Sequence, residues 1–282
     1  MAKKSIVILG NMGRAGVAEQ IDALRGWFER RVKILGVQAA NSPLGDAARS
    51  ANLCVVFGGD GTLLAAARTL TGTGIPLLGV NMGKLGFLAE FDVQTMQKHF
   101  SAILAGKLAP TDRIMLQACV GDCDTHRFCS PAANDVAISA GPPFRMIDLN
   151  VAQGNEQIAQ YFGDGLVIST PSGSTGYNLS AGGPILEPVL DALVITPIAP
   201  HSLSIRPIVV GAEAVIRVTA TRVNAGSAVI IDGQVSSGLC SGDVVEVRRA
   251  AAPARIIPHP DRTFFDTLTS KLQWGRSPHH RT

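Results

Sequence analysis

One run of sixteen residues, LCVVFGGDGTLLAAAR at positions 53–68, constrains this chain more than any other. Its apolar start reads as a buried strand, and 63–70 carries a helical pattern. Between them stand Gly58, Gly59, Asp60, Gly61 and Thr62. Three glycines around one acid allow a tight turn and let backbone N–H groups approach an anion without side-chain obstruction. The N-terminus of the following helix adds a field that favours phosphate. An acid in such a cradle repels its ligand unless it has a task. It can hold Mg²⁺ through water, or accept the proton of an attacking hydroxyl. The bland alternative is a strand-to-helix turn with Asp60 as N-cap. No GxxxxGK[ST] loop occurs, and Gly10, Gly13 and Gly16 have GxxGxxG spacing rather than the dinucleotide GxGxxG.

Around this run the first hundred residues alternate strand and helix signals. Apolar stretches at 5–9, 32–37, 53–57 and 76–80 read as strands, and 18–30, 63–70 and 93–104 as helices. That βα order predicts a parallel sheet covered by helices. After Pro110 the period changes to two, at 146–151, 214–220 and 243–248, with turns at Asn155, Asp164, Asn224 and Asp232. Helical spacing returns with Phe264, Phe265, Leu268 and Leu272. A length of 282 residues suits two domains at about 150 residues each. The expected fold is α/β plus β. A Rossmann-like α/β domain spans 1–110, an all-β, sandwich-type domain spans 111–255, and 256–282 returns as a helix to the first.

Composition removes several function classes. A net charge of +3, with no basic run interleaved with aromatics, gives no reason to expect nucleic acid. The uncharged stretch 165–186 is long enough to span a bilayer, but two prolines and many Gly, Ser and Thr break it, so no membrane helix is expected. The N-terminal apolar run is too short for a signal peptide, which suggests a cytoplasmic protein. Five cysteines fit no metal spacing. Cys119, Cys123 and Cys129 cluster, and buried or incidental thiols are the expectation. Glycine is in excess, 30 residues of 282, against an average of about 7%.

GGDGT is shared by NAD kinases, lipid kinases of the diacylglycerol and sphingosine type and, in related form, phosphofructokinases. Three further segments narrow the resemblance: NMGKLGFLAE at 81–90, AANDVAI at 132–138 and DGLVISTPSGSTGYNLSAGGPI at 164–185. With PIAPHSLSIRP, DGQ and FFDTLTSKLQW further on, the chain resembles the NAD kinase family over nearly everything after residue 50. The resemblance implies transfer of the γ-phosphoryl group of ATP, or of another donor, to the 2′-hydroxyl of the adenosine ribose of NAD. A divalent cation, Mg²⁺, is implied with it. Asp60 is then the catalytic base, and also touches NAD with Gly61, while Gly58, Gly59, Gly61 and Thr62 cradle the ATP phosphates. Asn134 and Asp135 hold ribose hydroxyls, which an amide and a carboxylate suit. Thr175, Gly176, Asn178, Leu179 and Ser180 hold the adenine–ribose end, with the Tyr177 ring packed on it. Asp164 reaches the nicotinamide amide, commonly in a neighbouring subunit's site, which implies a homo-oligomer, a dimer or tetramer. Arg145, His201 and Gln234 are further NAD contacts, and Lys84 and Arg206 could face phosphates. The rivals are a diacylglycerol-type lipid kinase and a non-catalytic NAD(P) sensor.

Overall fold

The computed structural model describes residues 3–83, 86–121 and 125–275. Lys84 and Cys123, singled out above, lie outside them. The chain divides into two compact units. One holds the residues up to Ala66, Ile75–Thr111 and those from Ile256 on; the other holds Ala67–Gly74 and Asp112–Arg255.

The first unit is built on strands β1 Ser5–Gly10, β2 Lys33–Ala39, β3 Leu53–Gly58 and β4 Leu77–Asn81, parallel in the order β2-β1-β3-β4. The short β5, Thr111–Arg113, and the last strand of the chain, Ala254–Ile256, extend the sheet where the chain passes from one unit to the other. β3 is buried throughout, as its uninterrupted apolar run requires. Helices α1 Val17–Glu29 and α3 Val93–Leu104 lay Val17, Ile21, Leu24, Phe28, Met96, Phe100 and Ile103 against Ile6, Ile8, Val55, Phe57 and Val80. Both helices have the expected apolar spacing. Between them in sequence, α2 spans Asp60–Thr69 and starts inside the glycine turn itself.

The second unit has two antiparallel six-stranded sheets. Its strands are β6 Leu116–Gly121, β7 His126–Ala132, β8 Asp135–Ser139, β9 Ile147–Gln153, β10 Glu156–Gly163, β11 Gly165–Ser169, β12 Ala192–Ile198, β13 Ile208–Gly211, β14 Ile216–Arg222, β15 Ala228–Ile231, β16 Val235–Gly238 and β17 Val244–Arg249. The orders are β10-β9-β14-β17-β6-β7 and β13-β12-β11-β8-β15-β16. Alternate residues of both sheets, among them Leu116, Leu149, Val218 and Val245 from one and Val136, Ile168, Ile195 and Val229 from the other, share one core. This is the sandwich that the period of two predicts.

After β18, Ala254–Ile256, the chain rejoins the first unit, where Ile256 pairs in parallel with Leu77. It ends in a helix over Phe264–Leu272, opened by a capping box of Thr263 and Asp266. One expectation is corrected. Cys119 and Cys129 face each other across β6 and β7 and form a disulfide rather than separate thiols, because antiparallel pairing puts their Cα atoms 4.2 Å apart. Cys54 is the buried thiol of the chain's parallel sheet, and Cys240 is exposed.

Candidate active site

The glycine turn binds its acid in an unexpected way. Asp60 does not cap its own helix. Its Oδ2 accepts from the Phe87 amide at 2.8 Å, and its Oδ1 from the Leu88 and Ala89 amides at 3.0 Å each. Those amides belong to the NMGKLGFLAE segment, so the two motifs of the first unit form one structure. Gly86 is required for the approach, since a Cβ there would overlap the Asp60 carboxylate. The segment is braced from behind. Glu90 accepts from the His259 amide at 3.0 Å, and the Lys271 ammonium stands 5.0 Å over the Phe87 ring. An ionised carboxylate has about four acceptor positions. Among the described residues three are filled, which leaves one on Oδ2 for a proton donor or a metal-bound water.

Among the described residues, no group of three His, Cys, Asp or Glu could hold a metal ion. A single half-buried carboxylate beside a glycine loop fits a different arrangement. Mg²⁺ keeps several waters and uses one or two carboxylates together with substrate phosphates.

In the second unit the residues around Asn134 form another fixed constellation. Asp232 and Gly233 make the β15–β16 turn with φ of 49° and 67°. Positive φ at both central positions suits a tight hairpin, and Asp tolerates it where most residues do not. The Asp232 carboxylate accepts from three consecutive amides: Ala133 at 3.0 Å, Asn134 at 2.7 Å and Asp135 at 3.1 Å. From the other side the Thr170 hydroxyl donates to the Ala133 carbonyl at 2.8 Å, and the Thr170 amide to the Asn134 carbonyl at 2.8 Å. The backbone of the turn is thus satisfied from both sides. Its side chains are not: Asn134 Oδ1 is buried and has no partner among the described residues. Asp135 is buried as well, and its carboxyl is pushed up from 3.8 to about 7, first by burial and then by the charge of Asp232. Buried polar groups left open where every backbone group is paired are groups waiting for a ligand.

The uncharged segment meets this turn. After β11 it forms a short 3₁₀ turn, Ser172–Thr175, and one helical turn, α4, Tyr177–Ser180. A Cβ on Gly176 would stand 3.5 Å from Asn134 Nδ2 and 3.8 Å from Asp135 Oδ2. Gly173 runs so close to the Asn134 carbonyl that a Cβ there would overlap it. Tyr177 presents its ring at 42% exposure, with Ser180 exposed and Thr175 and Leu179 half-buried. Asn178 faces inward and is fully buried. It donates to the carbonyls of Ser174 at 3.0 Å and Pro184 at 2.9 Å, and accepts from the Thr196 hydroxyl at 2.6 Å. Its side chain ties the loop together from within.

Arg145, Asp164 and His201 lie elsewhere in the unit. β8 and β11 pair Asp135 with Ser169 at one end and Ser139 with Gly165 at the other, a separation of about 13 Å at the usual rise per residue. Asp164 is exposed at the far end, where its carbonyl accepts from the Ala140 amide at 2.8 Å. The exposed His201 joins it through its amide to the Phe162 carbonyl at 2.7 Å, and the carbonyl of exposed Arg145 accepts from Asn224 at 2.5 Å. Arg206 donates to the carbonyls of its own loop, at Leu203 and Ile205. Gln234 is bound by Arg68, whose guanidinium spans Gln234 Oε1 and Asp232 Oδ2 at 2.6 Å each. Sequence reasoning stopped at Gln234 and missed its neighbours. The DG dipeptide signalled a hairpin, and nothing in it announced a buried carboxylate with a distant Arg. Gly86 stood inside a quoted motif, and its role shows only once Asp60 is seen turned toward it.

Comparison with known proteins bears on both units. The family model described as the ATP-NAD kinase N-terminal domain matches residues 27–108, and that described as the ATP-NAD kinase C-terminal domain matches 133–259. An NAD kinase from Heliobacterium modesticaldum is 40% identical, covering 89% of this chain and 92% of its own. One from Syntrophotalea carbinolica is 39% identical, covering 89% and 91%. A crystal structure of yeast NADH kinase complexed with NADH superposes with a TM-score of 0.88 over 99% of this chain and 90% of its own, at 22% identity, which speaks to the fold. The structure of an NAD kinase from Archaeoglobus fulgidus in complex with ATP gives a TM-score of 0.74 over 95% and 98%, at 25% identity. Nothing in these matches supports a lipid kinase. The chain belongs to the NAD kinase family, phosphotransferases whose acceptor is an alcohol, the 2′-hydroxyl of NAD.

Proposed function

We propose that this chain transfers the γ-phosphoryl group of ATP to the 2′-hydroxyl of the adenosine ribose of NAD, with Asp60 as the base. The observation that carries the assignment is the Asp60 carboxylate, fixed by three amides with one acceptor position left open among the described residues. A ribose hydroxyl is far too weak an acid to ionise unaided near neutral pH, so its proton must have a placed acceptor. The proton passes from the 2′-oxygen to Asp60, that oxygen bonds to the γ-phosphorus, and ADP leaves. The turn Gly58, Gly59, Gly61 and Thr62 brings the donor phosphates to the N-terminus of α2 with little side-chain obstruction, the Thr62 amide itself being bound to the Gly59 carbonyl at 3.0 Å. A divalent cation, Mg²⁺, brought with ATP on the donor phosphates and their waters, would neutralise phosphate charge and leave Asp60 free for the proton. Asn134 and Asp135 grip ribose hydroxyls through the side chains that have no other use. Thr175, Gly176, Leu179 and Ser180 shape the nucleoside pocket, Tyr177 supplies a stacking face, and Asn178 keeps the loop in place. Positioning and charge stabilisation then supply most of the rate.

The remaining assignments concern a second copy. Asp164 adjoins the end of β8 and β11 that lies about 13 Å from Asp135, His201 is tied to Phe162 just before it, and Arg145 lies in the loop after β8. Exposed apolar side chains accompany them, Phe144 at 73% and Leu203 at 94%. We infer a homo-oligomer in which this end serves a neighbouring subunit's dinucleotide. No described helix is long and apolar enough to cross a membrane, and we place the protein in the cytoplasm, where NAD and ATP are found.

The test is direct. The purified chain is incubated with ATP and Mg²⁺, and either NAD or diacylglycerol vesicles. NADP and ADP are expected in equal amounts with NAD, and no product with lipid. Absence of NADP would overturn the proposal.

A further inference from the structure

We propose that Arg68 is a positioning residue for the dinucleotide. By pairing with Asp232 it holds the amides of residues 133–135, and with them the Asn134 and Asp135 side chains, in the geometry that grips the ribose. This rests on the function proposed above. Arg68 lies in the last turn of α2, within the same unit as Asp232. Their side chains are 9% and 0% exposed, and the ion pair is 2.6 Å long. Asp232 is the common point of the turn. Its Oδ1 accepts from the Asn134 and Asp135 amides, and its Oδ2 from the Ala133 amide and the Arg68 Nη1.

Three amides and one cation share this buried carboxylate, and removing one partner of a buried ion pair leaves an uncompensated charge. Without Arg68 the Asp232 Oδ2 loses its charged partner, and the carboxylate is freed to turn about its side-chain bonds. Such a turn removes an acceptor from at least one of three consecutive amides. Those amides precede side chains that have no protein partner to hold them, so a small rotation of the turn reaches the ligand directly. The second Arg68 nitrogen, on Gln234 Oε1 at 2.6 Å, fixes the hairpin on which Asp232 stands. A planar fork meets the two acceptors with two nitrogens in fixed geometry, which a single ammonium nitrogen does not reproduce.

The full-length Arg68→Gln and Arg68→Lys variants are assayed for NADP formation with NAD and ATP varied separately, and their melting temperatures are recorded. Arg68→Gln is expected to raise KM for NAD about tenfold or more, as displaced positioning groups do. KM for ATP should not change, and Arg68→Lys should recover part of the loss. An unchanged KM for NAD, even with a lowered melting temperature, would overturn the proposal and leave Arg68 a structural residue. So would an equal rise in both KM values. If Arg68→Gln does not fold, Arg68→Lys decides by the same comparison, a selective rise in KM for NAD being expected. If the wild type makes no NADP, the functional reading fails by itself. Calorimetric NAD affinity of wild type against Arg68→Gln then decides the role of Arg68, with roughly tenfold weaker binding expected and equal affinity against it.

Discussion

Asp60 holds three amides on two oxygens, and this makes its neighbours as consequential as the acid itself. An amide at position 60 keeps an oxygen for Leu88 and Ala89 but turns an N–H₂ toward the Phe87 N–H, so Asp60→Asn removes both the base and one clasp. Gly86→Ala leaves the acid in place and pushes a methyl group into it. We expect kcat to fall about a hundredfold or more, as for a misplacement of roughly 1 Å, with NAD affinity kept; steady-state kinetics beside calorimetry check it. Asp135 has the opposite character, a buried carboxyl raised from 3.8 to about 7 by burial and by the charge of Asp232. Between these values the folded chain holds a proton that the unfolded chain has released. Stability from this group is therefore full below about pH 4 and is lost as pH rises to 7, by an amount on the order of 4 kcal/mol. Asp135→Asn is expected to flatten that stretch of the stability–pH curve in urea titrations and to raise stability at pH 8. It should also weaken NAD binding, since an amide accepts from two hydroxyls less well than a carboxylate. The residue types of this site were legible in the sequence because GGDGT and the Asn-Asp pair stand at unusual turns. The contacts were not, since Asp60 is 27 residues from Phe87 and Asp232 98 from Asn134.

At the scale of elements, periodicity placed the strands and helices of the first unit and several strands of the second. Strands expected at 5–9 and 53–57 are Ser5–Gly10 and Leu53–Gly58, and the helix expected at 93–104 is Val93–Leu104. These segments bury whole faces, so their apolar spacing is imposed by the core. Short edge strands such as Ile208–Gly211 and Val235–Gly238 carry mostly exposed residues, and no such pattern announced them. The Cys119–Cys129 disulfide was illegible for the same reason, because it depends on the pairing register of β6 and β7. Closing a loop of sequence separation 10 is expected to stabilise the chain by about 2–3 kcal/mol. Reduction should lower the melting temperature accordingly and leave kcat unchanged, because the pair lies outside the groups assigned to the reaction; calorimetry with and without dithiothreitol, beside the activity assay, checks both.

Across the whole molecule, the uncharged stretch and part of the glycine excess share an explanation, while glycines such as Gly72, Gly74, Gly106 and Gly154 serve positive-φ turns. Gly58, Gly86, Gly173 and Gly176 stand where a Cβ would meet Thr62, Asp60 or the Asn134 turn. The segment long enough to span a membrane is a buried strand followed by the loop that meets Asn134 and Asp135. The central claim is that Asp60 takes the proton of the NAD 2′-hydroxyl. It is tested by NADP formation from NAD and ATP–Mg²⁺ by wild type and Asp60→Asn, with NAD affinity measured on both. The account expects equal affinity and a turnover lower by roughly 10²–10⁴-fold, the usual worth of a placed general base. Wild-type turnover in the variant would contradict it.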